Sequence, residues 1–346
     1  MKAVILRGKY DVAIETVPDA KVQFPTDAVV QVVAAAICGT DLRGYGGLPG
    51  PVHGPRCGHE FVGLVTEVGA EVSRLRPGML VVAPFVFSDG TCVQCVRGLP
   101  SSCASGGMFG VDCDGGQAEA VRVPFADATL VEVPMDEHDE RIPAVLALAD
   151  VMATGFHAMH TARVGPDTSV AIVGDGPVGL CSVLAARALG AKRIMMLGRH
   201  GCRTRIGRSF GATDVMESSG TGTVAEGIDF VLSRSDGSGV DVVAECTGES
   251  AALDTALGSC RDGGTMSLVG GPHGEAGQMM ACFLRNITVT GGLAPAGAYL
   301  PALLDDVLAE RLDPGPIFDL TVSLDEIASG YEAMRSRTVT KVLVQV

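Results

Sequence analysis

A glycine-rich loop between an apolar run and an apolar helix constrains the fold of this sequence most. Ser169–Val173 has the pattern of an apolar strand, and Val178–Leu189 is a helical stretch rich in Ala and Leu. The loop between them and the start of the helix carry the motif residues Gly174, Gly176, Pro177, Val178 and Gly179. In G-x-G-x-x-G the first glycine permits a tight turn, the second lets the backbone approach a pyrophosphate, and the third lets helix and strand pack closely. The helix N-terminus stabilises phosphate charge. We therefore predict a dinucleotide-binding unit.

The pattern around this loop predicts two domains. The 346 residues exceed the size at which a single core usually divides. The first third has short apolar runs separated by Gly and Pro, which indicates a β-rich domain. From Thr154 onward strands alternate with helices, which predicts a doubly wound parallel sheet. We expect the final run, Lys341–Val346, to rejoin the first domain.

The end of the second predicted strand, Arg193–Leu197, bears on which dinucleotide binds. NAD-binding domains of this kind place an acid there, about twenty residues after the glycines, to hold the ribose 2′-hydroxyl. This chain instead has Gly198, Arg199 and His200, followed by Arg203. Because arginine offers charge-assisted bonds to a 2′-phosphate, NADP is favoured over NAD. The alternative is that the arginines are solvated charges at the start of a helix, which keeps NAD possible.

Composition excludes other classes of function. The formal net charge of −14 would repel a nucleic-acid backbone, so no nucleic-acid partner is expected. There is no apolar run of about eighteen residues and no secretory signal, so we expect a soluble, cytoplasmic protein without a membrane partner. The 11 cysteines, an odd number in a long chain, are interpreted as reduced thiols and metal ligands.

Two motifs near the N-terminus carry metal-binding residues and a family resemblance. Cys38 ends an apolar strand and is followed by Thr40 and Asp41, while Gly58-His59-Glu60 precedes the next strand. Thiolate and imidazole suit zinc. With Phe61-Val62-Gly63, Gly69, Val72 and the glycine loop, the chain resembles the zinc-containing alcohol dehydrogenases of the medium-chain dehydrogenase/reductase superfamily along essentially its whole length.

The resemblance implies an α/β two-domain fold. Residues 1–152, completed by 291–346, would form a GroES-like catalytic domain, and residues 153–290 a Rossmann domain. It also implies that Cys38 and His59 bind a catalytic zinc, with Glu60 as an exchangeable ligand. Asp150 stands where many members have a cysteine, as in the Cys/His/Asp/Glu set of bacterial secondary-alcohol dehydrogenases, and a carboxylate can bind zinc. The alternative is that Asp150 only caps the following helix.

The implied proton relay begins at Thr40. Three residues later this chain has Arg43 where many relatives place a histidine, and arginine does not usefully lose its proton. Ribose hydroxyls, water or His53 are the alternatives. The remaining cofactor residue implied is Thr154, at the start of the Rossmann domain.

A second cluster resembles the structural-zinc lobe of the same family. Its residues have the family spacing, with an aspartate at the first position: Asp89, Cys92, Cys95 and Cys103. One carboxylate and three thiolates can form a closed tetrahedral site. The alternative is a weakened or empty site.

The activity that the resemblance implies is hydride transfer between NADP(H) and a small alcohol, ketone or aldehyde, with zinc polarising the substrate oxygen. Phe85, Phe87, Phe109 and Leu293 are candidates for the substrate pocket. A polyol or sugar dehydrogenase of the superfamily and a non-catalytic cofactor-binding subunit are the alternative functions. Pairing through Ile287–Leu293 predicts a homodimer or homotetramer.

Overall fold

The computed structural model describes residues 1–47, 56–217, 222–271 and 278–346. The chain divides into two compact units, one of residues 1–153 and 295–346 and the other of residues 154–294.

Seventeen strands are assigned in the described residues. In chain order they are β1 Lys2–Gly8, β2 Asp11–Thr16, β3 Ala28–Ile37, β4 Phe61–Val68, β5 Leu80–Ala83, β6 Val86–Phe87, β7 Gly107–Met108, β8 Ala120–Val123, β9 Val131–Glu132, β10 Ser169–Val173, β11 Arg193–Gly198, β12 Asp214–Glu217, β13 Val240–Glu245, β14 Cys260–Leu268, β15 Thr288–Gly291, β16 Phe318–Ser323 and β17 Lys341–Gln345.

Twelve α-helices accompany these strands in the described residues. They are α1 Gly39–Tyr45, α2 Val93–Val96, α3 Ala126–Thr129, α4 Ile142–Leu148, α5 Val151–Thr161, α6 Pro177–Ala188, α7 Gly201–Phe210, α8 Val224–Leu232, α9 Ser250–Ser259, α10 Met279–Leu284, α11 Ala296–Leu308 and α12 Ile327–Arg335.

The first unit is built on a seven-stranded sheet that combines strands of residues 28–132 with the last two strands of the chain. Its order is β16-β17-β3-β4-β5-β9, and β8 pairs with β3 outside this path. The C-terminal strand β17 runs antiparallel to β3, with Val342 opposite Ile37. Alternate residues of these strands enter a core that also contains Phe61, Phe109 and Tyr331. The sheet therefore holds the residues before Cys38 against the C-terminal strand.

The second unit is a parallel six-stranded sheet in the order β12-β11-β10-β13-β14-β15. Counted within the unit, this order is 3-2-1-4-5-6, that of the doubly wound dinucleotide-binding fold. The strands read as apolar runs because helices cover parallel sheets on both faces; Val170, Ala171 and Ile172 of β10, for example, are fully buried. The predicted α/β architecture of a β-rich part and a Rossmann-like part is confirmed.

No single helix in the described part of the chain is long and apolar enough to cross a membrane, although α4 and α5, bent by 53°, pass that test as a pair by length and composition alone.

Candidate metal centre and cofactor loop

The pairing of β3 with β4 brings the first predicted ligands together. Cys38 follows the last residue of β3, and His59 and Glu60 lie directly before β4. The two strands are antiparallel, and the N–H of Ala36 donates to the carbonyl of Glu60 at 3.1 Å. Asp150 precedes α5, and the N–H of Phe85 donates to the carbonyl of the neighbouring Ala149 at 2.9 Å. Three separate parts of the sequence therefore meet at one point.

The donor atoms of Cys38, His59, Glu60 and Asp150 all lie within 4.8 Å of one another. Oδ2 of Asp150 is 3.4 Å from Sγ of Cys38 and 3.4 Å from Nε2 of His59. Nε2 of His59 is 3.9 Å from Oε1 of Glu60. Asp150 also occupies the residue before a helix, as a cap would, but this carboxylate oxygen faces the thiol and the imidazole.

This set of donors fits zinc. One sulfur, one imidazole nitrogen and carboxylate oxygens are ligands that zinc accepts. Oε2 of Glu60 is buried and accepts no hydrogen bond within the described structure, which leaves a costly orphaned acceptor that a cation would satisfy. Burial lowers the pKa of His59, but Cys38 and Asp41 outweigh it and raise the pKa well above its usual value. The cluster thus attracts positive charge.

Asp41 lies behind His59 and is held by buried hydrogen bonds. Nδ1 of His59 is 3.7 Å from Oδ1 of Asp41, which is beyond hydrogen-bond distance, and Oδ2 of Asp41 accepts from the backbone N–H of Cys38 at 2.9 Å. Nε2 of Gln117 donates to the same Oδ2 at 3.1 Å, and the hydroxyl of Tyr331 donates to Oε1 of Gln117 at 2.8 Å. The sequence interpretation assigned no individual role to Asp41, Gln117 or Tyr331, although Asp41 follows Cys38 in its motif and Gln117 lies in the stretch Asp114–Glu119, which resembles the family's cleft-lining segment.

Lys341 is a further residue that the sequence interpretation missed. Its Nζ donates to Oε1 of Glu60 at 2.7 Å and to the carbonyl of Ile37 at 3.3 Å. Burial lowers the pKa of Lys341, but the charges of Glu60 and Cys38 outweigh it and raise the pKa above its usual value. Lys341 therefore stays charged beside the cluster.

The second predicted cluster also converges. The donor atoms of Asp89, Cys92, Cys95 and Cys103 lie within 4.8 Å of one another. Sγ of Cys92 is 3.6 Å from Sγ of Cys95 and 3.8 Å from Sγ of Cys103. The backbone N–H groups of Cys92 and Thr91 donate to Asp89 and hold its pKa well below the usual range, so the carboxylate is ionised. Three thiols and a carboxylate at this spacing fit a closed zinc site.

The glycine loop has the geometry that its motif predicts. Gly174 has φ +121°, a region that favours glycine. A Cβ on Gly179 would lie 2.1 Å from the carbonyl oxygen of Gly174, so only glycine lets α6 start this close to β10. Gly176 caps α6, Pro177 and Val178 form its first turn, and a Cβ on Gly176 would meet nothing within 4 Å. The loop therefore leaves its backbone open at a helix N-terminus, an arrangement that suits a phosphate group.

Comparison with known proteins identifies the family of this chain. The family model described as the alcohol dehydrogenase GroES-like domain matches residues 24–135, and the model described as zinc-binding dehydrogenase matches residues 177–309. The zinc-type alcohol dehydrogenase B of Aspergillus flavus is 33% identical over 99% of this chain and 81% of its own length. The NADP-dependent isopropanol dehydrogenase of Thermoanaerobacter brockii is 32% identical over 90% of each chain. Among solved structures, alcohol dehydrogenase TADH from Thermus sp. ATN1 superposes with a TM-score of 0.89 at 33% identity, covering 100% of both chains.

The chain belongs to the zinc-containing alcohol dehydrogenase family. It is a zinc-dependent oxidoreductase of alcohols and carbonyl compounds that uses a nicotinamide cofactor. The resemblance inferred from the Cys38 and His59 motifs is thereby confirmed, and the non-catalytic alternative is not favoured.

The remaining residues predicted for this alcohol dehydrogenase lie in different surroundings. Oγ1 of Thr40 is 3.9 Å from Sγ of Cys38, beside the metal cluster. Arg43 lies in the last turn of α1, and His53 falls outside the described residues. The ring of Phe85 lies edge-on to His59 with centroids 6.4 Å apart, whereas Phe87 and Phe109 belong to the core of the first unit. Leu293 is 56% exposed in the second unit, and Thr154 is buried in α5.

The residues predicted to contact the ribose of the cofactor lie at and after the end of β11. Gly198 is its last residue, Arg199 is exposed, and His200 caps α7. Arg203 lies in the first turn of α7, with Nη1 3.7 Å from Oδ1 of Asp175. Asp175, which lies inside the glycine loop, is a residue that the sequence interpretation did not assign.

Proposed function

We propose that this enzyme interconverts small alcohols with ketones or aldehydes using NADP(H), with Cys38, His59 and Asp150 as catalytic zinc ligands and Glu60 as an exchangeable one. The observation that carries the proposal is the convergence of these four donor groups within 4.8 Å. A cluster of this composition in a buried site is costly without a cation, because thiolate and carboxylates would repel one another.

When bound, zinc would supply Lewis-acid polarisation of the substrate oxygen. The side chains of this chain have distinct parts in that chemistry. Asp41 lies 3.7 Å from Nδ1 of His59, while Nε2 faces the cluster. The free oxygen of Glu60 gives it a second binding mode, as exchange requires. Thr40, whose hydroxyl both donates and accepts, would move the proton at the substrate oxygen.

The preference for NADP is supported by the cations around the ribose end of β11. Arg199, His200 and Arg203 follow Gly198, and the sequence has no acid between Gly198 and Asp214. Such cations offer charge-assisted bonds to a 2′-phosphate. The relative from Thermoanaerobacter brockii is by its name NADP-dependent, which also supports this choice.

Steady-state kinetics test the proposed cofactor and substrate class. The purified enzyme is assayed with a panel of secondary alcohols, ketones, aldehydes and polyols, each with NADPH or NADH, or their oxidised forms. We expect turnover of the simple alcohols and carbonyl compounds and a higher kcat/KM for NADPH than for NADH. A higher kcat/KM for NADH, or turnover of polyols alone, would contradict the proposal.

The role of Asp150 is tested by Asp150→Asn, which separates a ligand from a cap. Asparagine caps a helix as well as aspartate does, but it lacks the negative charge of a zinc ligand. We expect the variant to fold, to lose about one zinc per subunit and to lose activity. Retention of the zinc and of the activity would leave Asp150 as a helix cap only.

We also propose that two copies pair through β15, giving at least a homodimer. β15 is an edge strand of its sheet, and unpaired edges invite pairing with a second copy. The neighbouring α10 exposes large apolar side chains: Met279 is 61% exposed, Met280 66%, Phe283 77% and Leu284 70%. Such contiguous apolar surface is typical of an interface. A cytoplasmic location is consistent with interpreting the 11 cysteines as reduced thiols and metal ligands.

A further inference from the structure

A carboxylate from the glycine loop lies at the point where β11 ends. Oδ2 of Asp175 accepts hydrogen bonds from the N–H groups of Arg199 and His200, both at 2.7 Å, and lies 2.8 Å from Nδ1 of His200. Asp175 is only 8% exposed. Burial raises its pKa, but the N–H of Arg199 and both donors of His200 outweigh it and lower the pKa below the usual value. The group is therefore a fixed negative charge.

Gly198 makes room for this carboxylate. A Cβ on Gly198 would lie 2.6 Å from Cγ2 of Thr204, 3.0 Å from Cβ of Asp175 and 3.3 Å from its Oδ2. Gly198 ends β11, which is where NAD-binding domains carry the acid that holds the ribose 2′-hydroxyl. The side chains of Thr204 and Asp175 thus together fill the space in which a side chain at position 198 would begin, and Asp175 brings a carboxylate there. The acid is absent from the strand end in sequence, but a carboxylate is present there in space.

The charges around this point act in opposite directions on the two nicotinamide cofactors. A 2′-phosphate is attracted by Arg199, His200 and Arg203 and repelled by Asp175. A 2′-hydroxyl is neutral and can donate a hydrogen bond to a carboxylate. Arg203, with Nη1 3.7 Å from Oδ1 of Asp175, divides its attraction between that carboxylate and a bound phosphate.

We propose that Asp175 is a specificity-determining residue of the ribose site, acting against the 2′-phosphate and in favour of the 2′-hydroxyl. The preference for NADP over NAD is therefore smaller than the surrounding cations alone would give. This inference rests on the proposed cofactor site, but not on which cofactor the wild-type enzyme prefers.

Asp175→Asn tests the proposal because its amide oxygen can still accept from the backbone N–H groups while the charge is lost. Two nucleotides that differ only by the 2′-phosphate, adenosine 2′,5′-bisphosphate and 5′-AMP, are titrated into the zinc-loaded enzyme by calorimetry. We expect the ratio of their affinities to shift toward the bisphosphate by about tenfold, the size of effect that one nearby charge produces. The kcat/KM ratio of NADPH to NADH should move in the same direction.

A ratio that is unchanged, as when both nucleotides bind equally more weakly, or a ratio that is lowered would overturn the proposal and leave Asp175 as a residue that only holds the loop. Asp175→Ser, which is also neutral and can accept a hydrogen bond, decides the question if the asparagine variant does not fold. Asp214→Asn is the matched control, because Asp214 lies at the other end of the adjacent strand β12 and should leave the ratio unchanged. The wild-type NADPH to NADH ratio tests the proposed function separately, so the two can fail independently.

Discussion

Nζ of Lys341 lies 2.7 Å from Oε1 of Glu60, and both side chains are almost completely shielded from solvent, at 1% and 0% exposure. β17 pairs with one side of β3 and β4 with the other, so the lysine reaches across the strand that leads to Cys38. The same Nζ holds the carbonyl of Ile37, directly before that cysteine. The C-terminal strand is thus part of the scaffold of the metal site.

Replacing Lys341 by methionine should destabilise the protein strongly. Removing one member of a buried ion pair leaves an uncompensated charge, at a cost of about 3–5 kcal/mol. Urea unfolding in excess chelator, which excludes any effect of bound zinc, measures this cost. The double variant Lys341→Met with Glu60→Gln removes both charges and should regain most of the loss. A single variant as stable as the wild type would show that the pair contributes nothing.

Gln117→Leu should weaken zinc binding. It removes the side-chain donor to Asp41, which holds the backbone N–H of Cys38, and we expect a loss of about tenfold, the low end of the 10–100-fold that removing a direct partner of a metal ligand costs. Competition with a chromophoric chelator gives the affinity, and the visible spectrum of the cobalt-substituted protein reports the ligand geometry. Tyr331→Phe is the control, because it leaves the bond from Gln117 to Asp41 in place and should lower stability more than metal affinity. Equal zinc affinity in wild type and Gln117→Leu would refute the role.

The parts of the molecule that local sequence determines could be predicted. The segment from β10 through the glycine loop into α6 is continuous in the chain, and its turn requires glycine at Gly174 and Gly179 for steric reasons. The two metal clusters were predicted in a different way: Cys38 and His59 are residue types that suit zinc, and the family resemblance implied Glu60, Asp150 and the second cluster.

Contacts between distant residues could not be predicted in the same way. Lys341 and Glu60 are 281 positions apart, and Tyr331 and Gln117 are 214 apart, so their meeting depends on the order of strands in the sheet. A lysine at the start of a terminal strand and a glutamine between a glycine and an alanine have no local signal. Asp175 was missed for another reason: the acid was sought at the end of β11, whereas the loop folds its side chain over Gly198.

Asp89→Ala should remove the second zinc and leave the first. We expect about two zincs per subunit in the wild type and about one in this variant, because three thiols remain but the tetrahedral set is incomplete. Elemental analysis of the dialysed protein measures the ratio. Asp89→Cys, which supplies a fourth thiolate, should keep about two. Two results would contradict two independent sites. One is an unchanged zinc-to-subunit ratio in Asp89→Ala. The other is that Asp89→Ala removes zinc from the wild type but removes none from a protein that already carries Asp150→Asn.

The ion pair between Asp214 and Arg193 predicts a pH-dependent stability. Nε of Arg193 donates to Asp214 at 2.8 Å, and this hydrogen bond, with the attraction of the guanidinium, lowers the pKa of the carboxyl. Because the folded pKa is depressed, the stabilisation is fully present above the unfolded pKa of about 4 and is lost as pH falls through the lower folded value. Asp214→Asn should therefore be less stable than wild type at pH 7, by about 0.5–1 kcal/mol for a partly exposed pair. The difference in free energy of unfolding between wild type and variant, measured by urea unfolding from pH 7 downward, should narrow below about pH 4. A difference that does not depend on pH would mean that the charge of Asp214 does not contribute to stability.

Phe283→Asp should dissociate the proposed dimer. Phe283 is 77% exposed on α10, near the edge strand β15, and an aspartate buried between two copies would carry an unpaired charge on both sides of a twofold interface. Light scattering coupled to gel filtration should give at least a dimer for the wild type and a smaller species for the variant, with an unchanged circular dichroism spectrum. Val96→Asp is the matched control, because Val96 is equally exposed, at 76%, but lies on α2 of the first unit. If Val96→Asp dissociates the assembly and Phe283→Asp does not, the copies contact one another through the lobe around Cys92 instead; a monomeric wild type would exclude the pairing altogether.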